Sequence, residues 1–284
     1  MRIALTANTE SGGGLDPEPL LETMRALGAQ AELFGCEPSD LERLGMSQPD
    51  RVAVAGGDGT IGPAAELAGR IGAPLAVIPA GTGNDFARVN GLPDDPREAA
   101  ALAVTGERTA SLELGRLADG RPFVNVASAG LASKAARHAD PYKRVLGPLA
   151  YALGALRAAA TESPLRCSVR VDDEPAYDGG AWQVIVAVTG AFGGGAEVGV
   201  ADPRDGRLDV AVLPAGSRLA LARRAWGLRR GTIAAQVPVV HRRGTVVEVR
   251  MDDSGLNVDG EVRDGGLERV TIERDAYELV VPAP

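Results

Sequence analysis

The chain has 284 residues, enough for two domains of ordinary size, and its 45% hydrophobic and 24% charged residues are typical of a globular protein. A net charge of −8 argues against a nucleic-acid-binding surface, which normally carries a basic excess. The two cysteines predict no disulfide framework and are consistent with a reducing cytoplasm. No apolar stretch reaches the about 20 residues of a membrane span. We therefore expect a cytoplasmic protein without a nucleic-acid partner.

The first hundred residues alternate between strand and helix patterns. Strands are predicted at 2–8, 30–35, 50–57 and 73–81, and helices at 20–29, 39–45, 63–72 and 94–106. Ser39 is the expected N-cap of the second helix, and Pro63 is expected in the first turn of the third. This alternation predicts a doubly wound parallel α/β domain, which we place at residues 1–110.

After about residue 110 the pattern changes to short β-branched segments separated by turns. These segments are 109–117, 121–130, 165–173, 181–190, 207–214, 245–253, 256–261 and 268–274. They predict an antiparallel β-sandwich domain over residues 111–275. Helical patterns interrupt it around 141–160 and 217–231, and we expect residues 276–284 to return to the first domain as a strand.

Three glycine-rich loops follow strands of the first domain: TESGGG at 9–14, GGDGTIG at 56–62 and PAGTGNDFAR at 79–88. Ligands of doubly wound domains bind at the carboxyl ends of the strands, where bare backbone N–H groups and a helix start can surround a phosphate. Each loop alone fits a tight turn, but three together, two of them with an aspartate, favour a phosphate site. The Walker GxxxxGK[ST] pattern does not occur in these loops, which argues against a P-loop.

These loops also carry a family resemblance. GGDGT at 56–60 resembles the nucleotide-binding signature of diacylglycerol kinases, sphingosine kinases and NAD kinases, and PAGTGNDFAR is similar to the diacylglycerol-kinase catalytic family in particular. Further matches are NVASAG (125–130), YKRVLGPLAYALGAL (142–156), FGGG…DPRDGRLDV (192–210) and NVDGE (257–261). The resemblance therefore covers nearly the whole chain.

The resemblance implies a two-domain kinase with ATP and Mg²⁺ in the interdomain cleft and a lipid hydroxyl as acceptor. Asp58 would orient the nucleotide phosphates through Mg²⁺ or a hydroxyl, which suits a reaction that depends on positioning and charge neutralisation. The nucleotide-binding residues implied by the motifs are Asn8, Ser11, Gly12, Gly56, Gly57, Asp58, Gly59, Thr60 and Thr82.

The NVDGE motif offers the carboxylates of Asp259 and Glu261 as the base that takes the acceptor proton. In a regular strand this spacing would place both on one face. Taken alone, the residues favour an Asp-Gly hairpin turn. The resemblance favours catalysis and matches Glu261 to the proton-acceptor position, while the choice between the two acids stays open.

The stretch ADPRDGRLD offers a second acidic loop. The resemblance implies a structural Mg²⁺ held by Asp202, Asp205 and the main-chain carbonyl of Arg207, and oxygen ligands in a short loop suit a hard cation. A solvated turn is the alternative. The loop is one residue shorter than the family pattern. Two other departures are Thr9 in place of a proline and Gly62-Pro63 in place of Asn-Glu.

Several functional alternatives stay open at this point. The acceptor is diacylglycerol, another lipid or an amphiphilic metabolite; a soluble-metabolite kinase of the NAD-kinase type and a non-catalytic nucleotide-binding regulator are the other classes. The arginine-rich segment 217–231 is either a peripheral contact with the inner face of the membrane or a helix with a solvated basic rim. The sequence does not fix the oligomeric state, and a homodimer is one alternative.

Overall fold

The structure is a computed structural model that describes residues 1–9, 14–139, 161–191, 198, 201–218, 239–252 and 255–283, together with residues 223, 226, 230, 232, 235 and 236. The chain divides into two compact units. Unit 1 consists of Met1–Leu114, Pro122–Val124 and Glu273–Pro284. Unit 2 consists of Gly115–Arg121 and Asn125–Ile272.

Unit 1 is built on a parallel sheet. Its strands are β1 (Arg2–Ala7), β2 (Gln30–Phe34), β3 (Arg51–Gly56) and β4 (Leu75–Pro79), in the order β2-β1-β3-β4. The end of the last strand of the chain, β15 (Arg269–Val281), continues this sheet, because Leu279 pairs in parallel with Leu75 of β4.

Helices cover both faces of this sheet. They are α1 (Glu18–Ala26), α2 (Pro38–Met46), α3 (Asp58–Ile71), α4 (Asp85–Val89) and α5 (Pro96–Thr105). Alternate side chains of β3 point to opposite faces, as expected for a strand. Val52 and Val54 belong to the core cluster that includes α3, whereas Ala53 and Ala55 belong to the cluster that includes α1 and α5. The predicted doubly wound α/β fold is confirmed.

Three local predictions in this unit are wrong. Helix α3 begins at Asp58, five residues earlier than predicted, so the GGDGT motif forms its first turn and Pro63 lies inside the helix. The N-cap of α2 is Glu37, because Pro38 provides the first helical residue and Ser39 follows it. The short helix α4 was not predicted, since its five residues are too few to show a helical period.

Unit 2 is an antiparallel β-sandwich, as predicted. Its elements include β7 (Val126–Gly130), α6 (Leu131–Ala139), β8 (Leu165–Val171), β9 (Glu174–Ala187), β10 (Leu208–Pro214), β11 (Val240–Gly244), β12 (Val246–Met251), β13 (Leu256–Val258), β14 (Glu261–Arg263) and the start of β15. The preceding strands are β5 (Arg108–Leu117) and β6 (Pro122–Phe123).

Strand β9 organises the pairing in unit 2. It pairs antiparallel with β7, β8 and β10, and β13 extends the sheet from β7. Buried side chains around Trp182, Ile185 and Leu213 form one core cluster of this unit. The helices predicted around 141–160 and 217–231 lie largely outside the described residues. Among the described helices, none is long and apolar enough to cross a membrane.

Candidate active site

The GGDGT motif connects β3 to α3: Gly56 ends the strand, and Asp58 begins the helix. Gly57 is the N-cap residue with extended backbone, so no cap side chain covers the first turn of this 14-residue helix. The hydroxyl and the N–H of Thr60 both donate to the Gly57 carbonyl, at 2.7 and 3.0 Å. The start of an uncapped helix attracts anions through its N–H groups and the helix dipole.

The second glycine loop lies directly against the first. The N–H of Ala80 donates to the Gly56 carbonyl at 2.9 Å. A Cβ atom on Gly81 would lie 2.5 Å from the Cα of Gly57, a distance that real Cβ atoms do not show. Glycine is therefore required at position 81 by contact between the two backbones, independently of any ligand.

Asp58 ties the second loop to the first. Its Oδ1 accepts the N–H of Phe86 at 2.9 Å, and its Oδ2 accepts the N–H of Asp85 at 3.2 Å. Asp58 thus caps α4, whose own N-cap residue, Asn84, makes no side-chain cap hydrogen bond to it. Sequence reasoning missed this role because the two partners lie 27 and 28 residues away.

Asn84 and Asp85 hold the inside of the second loop. Asn84 adopts a left-handed backbone with φ of 49°, and its Oδ1 accepts the N–H of Gly81 at 2.8 Å. Asp85 is 3% exposed and pairs with Arg88 at 3.0 Å. Thr82, predicted to contact nucleotide, is exposed at the tip of this loop.

The remaining predicted nucleotide residues follow β1. Asn8 is half-buried, and its N–H donates to the carbonyl of Ala55 on β3 at 2.9 Å. Ser11 and Gly12 lie outside the described residues. The structure therefore brings Asn8 and the two glycine loops to the same edge of the parallel sheet, at the carboxyl ends of β1, β3 and β4.

The NVDGE motif of unit 2 forms a tight hairpin between β13 and β14. Asp259 and Gly260 both have positive φ, 46° and 90°, as in a type I′ turn. The Asp-Gly hairpin turn that the residues alone favoured is therefore present, and Asp259 is a turn residue that precedes β14.

The two hairpin acids have different surroundings. The Oδ1 of Asp259 accepts the N–H groups of Asn125 and Val126, each at 2.9 Å, and its own N–H donates to the Val126 carbonyl. Glu261 is exposed and pairs with Arg263 at 2.7 Å. Asp259 thus fastens the hairpin to the start of β7, and Glu261 presents its carboxylate to solvent.

The acidic loop predicted to hold Mg²⁺ is arranged around an arginine. Asp205 pairs with Arg243, while Asp202 is exposed and accepts the N–H of Arg204 at 3.2 Å. Arg207 is exposed after Gly206, which has φ of 75°. In the described part of the chain no three histidine, cysteine or acidic side chains are grouped closely enough to hold a metal. The Oδ1 of Asp205 is buried without a hydrogen-bond partner among the described residues, but its Oδ2 already pairs with a guanidinium. Because that positive charge would repel a metal ion, the residues present do not fit one here.

Two family models match the chain. The diacylglycerol kinase catalytic domain matches residues 2–117, and the YegS C-terminal NAD kinase beta sandwich-like domain matches residues 125–281. These matches show that the chain is a kinase. The chain belongs to the diacylglycerol kinase catalytic-domain family, as the resemblance implied.

Individual relatives carry names of the same kinase family. A Pseudomonas aeruginosa protein named "Probable lipid kinase YegS-like" is 32% identical over 243 residues, which are 82% of this chain and 76% of that protein. A Mycobacterium tuberculosis diacylglycerol kinase is 30% identical over 217 residues, covering 75% of this chain and 70% of that protein. A crystal structure of a diacylglycerol kinase from Bacillus anthracis has a similar fold, with a TM-score of 0.76, 22% identity, and coverage of 99% of this chain and 97% of that one.

Proposed function

We propose that this kinase transfers the γ-phosphoryl group of ATP to the hydroxyl of a lipid such as diacylglycerol. The observation that carries the proposal is the joining of the two glycine loops by backbone contact and by Asp58. These contacts hold both loops together at the carboxyl edge of the unit 1 sheet, where doubly wound domains bind ligands. The names of the relatives supply the acceptor class.

Unit 1 would hold the nucleotide. The first turn of α3 and the backbone around Gly57 and Gly81 would bind phosphate oxygens, and the exposed hydroxyl of Thr82 would add a donor. Asp58, at the first position of α3, would hold Mg²⁺ through its carboxylate. The cation would neutralise charge on the phosphates.

Unit 2 would supply the base. Glu261 would accept the proton of the acceptor hydroxyl as that oxygen forms its bond to phosphorus, and ADP would leave with the bonding electrons. Asp259 would position Glu261, since its carboxylate fixes the hairpin on which Glu261 lies. Exposure of Glu261 supports this division of roles, because a base must be reached by the acceptor.

The acceptor class also supports a peripheral membrane contact through the segment 217–231. Trp226 is 59% exposed, and the guanidinium of Arg230 lies 4.8 Å from the centre of its ring. Exposed tryptophan beside arginine suits the interface of an anionic bilayer.

A second candidate is a soluble-metabolite kinase, because the model that matches unit 2 is described as NAD kinase beta sandwich-like. Incubation with γ-labelled ATP, and separately with diacylglycerol vesicles, sphingosine and NAD, distinguishes the candidates. We expect label to enter a lipid. Label only in NAD would favour the second candidate, and failure to label any acceptor would contradict both.

A further inference from the structure

A second cluster of charges lies in unit 2, on β10, β11 and the loop before them. In the antiparallel register of these strands Asp209 lies opposite Arg243, and His241 lies two residues from Arg243 on the same face. Asp209 is completely buried. Its Oδ1 lies 2.6 Å from Nε2 of His241, and its Oδ2 lies 3.3 Å from Nε of Arg243.

The same arginine also reaches the acidic loop. Its Nη2 contacts Oδ2 of Asp205. One guanidinium, with a side chain 35% exposed, therefore bridges a carboxylate of the loop and a carboxylate of the strand. The planar group offers five N–H donors, which suits it to bridge two carboxylates at once.

Charge balance explains why a cation is needed at this place. A carboxylate as buried as Asp209 is costly unless it is paired and hydrogen-bonded, and a second carboxylate close to it adds repulsion. Arg243 supplies a positive charge to both acids. Among the described residues, the Oδ1 of Asp205 and the Oδ2 of Asp209 are buried without a hydrogen-bond partner. A divalent cation bound to these oxygens would lie beside the guanidinium of Arg243, and the two like charges would repel each other.

We propose that Arg243 is a built-in cation that holds the acidic loop 202–207 against β10 and β11, in place of a structural metal ion. The loop is then ordered by the chain itself. The described residues of the loop then need no structural Mg²⁺.

The test is a titration of the nucleotide-free full chain with Mn²⁺. Electron paramagnetic resonance measures the concentration of free Mn²⁺ at each step and therefore the amount bound. We expect no saturable site at the acidic loop, so Asp205→Asn should leave any Mn²⁺ binding of the wild type unchanged. Arg243→Ser frees the carboxylates of Asp205 and Asp209, and should gain a Mn²⁺ site about tenfold tighter than any wild-type binding, since the charge on the ligands sets the affinity of oxygen sites. Arg242→Ser is the matched control, because the neighbouring arginine is exposed and donates only to the His241 carbonyl among the contacts described.

The wild-type titration decides the proposal even where a variant does not fold. A saturable wild-type Mn²⁺ site that Asp205→Asn removes would overturn it. Arg243→Lys keeps the positive charge and should stay without a Mn²⁺ site. Equal Mn²⁺ binding by folded Arg243→Ser and by the wild type would also contradict the proposal. Because no nucleotide or acceptor is present, these outcomes are independent of the kinase activity.

Discussion

We expect Asp58 to stabilise the fold of the nucleotide-free protein, in addition to its proposed role in nucleotide binding. Both of its carboxylate oxygens accept backbone N–H groups of α4, one from Phe86 and one from Asp85. Asp58→Asn keeps one acceptor and replaces the other with an amide N–H₂ group. That group would face a backbone N–H, so that one hydrogen bond is lost and two donors oppose each other.

The magnitude follows from the contacts. A hydrogen bond to a charged group contributes about 1.5–3 kcal/mol, and an unsatisfied buried donor costs about 1–3 kcal/mol. Because Asp58 is half-buried, the lower part of these ranges applies, and we expect a loss of about 2 kcal/mol in the free energy of unfolding.

Urea unfolding of the nucleotide-free protein measures this loss. Asp95→Asn is the matched control, since Asp95 caps α5 through Oδ1 alone, which accepts the N–H groups of Arg97 and Glu98, and asparagine is an equally good N-cap. We expect a clear shift of the unfolding midpoint for Asp58→Asn and little shift for Asp95→Asn. Equal midpoints for wild type and Asp58→Asn, with activity lost, would show that Asp58 acts only on the nucleotide and would refute the structural role.

Two further predictions concern the glycine loop and a turn acid. Gly81→Ala brings a Cβ to 2.5 Å from the Cα of Gly57 and should weaken ATP binding by separating the loops. Calorimetry measures the affinity, and an affinity equal to that of the wild type would contradict the contact. Burial opposes ionisation of Asp172, but hydrogen bonds from Val246 and Thr245 outweigh it and lower its pKa. The stability difference between wild type and Asp172→Asn should therefore be present above the unfolded pKa, about 3.9, and disappear at lower pH; a difference that persists at pH 2 would refute it.

Local patterns predicted much of unit 1. The apolar runs of β1, β3 and β4 and the amphipathic helices between them specify a doubly wound sheet, because each needs a partner for its buried face. The Asp-Gly pair at 259–260 likewise predicted a hairpin from the residues alone, since only a few residue types accept positive φ at both turn positions.

The sequence did not predict interactions between distant residues. Asp58 caps a helix that begins 27 residues later, and the contact of Gly57 with Gly81 depends on which strands are neighbours. Arg243 meets Asp209 only because of the register of β10 and β11. Each of these follows from tertiary pairing, which motif spacing does not encode.

The most direct test of the account is steady-state turnover of Glu261→Gln with ATP and the lipid acceptor. A general base contributes about 10²–10⁴-fold, so kcat should fall by about that factor while the dissociation constant for ATP is unchanged. The acidic limb of the pH–rate profile should disappear with it. Asp259→Asn retains the Oδ1 acceptor of the two backbone N–H groups and should lower kcat less. Near-wild-type kcat and an unchanged pH profile in both variants would contradict the account, because the hairpin would then be an ordinary turn.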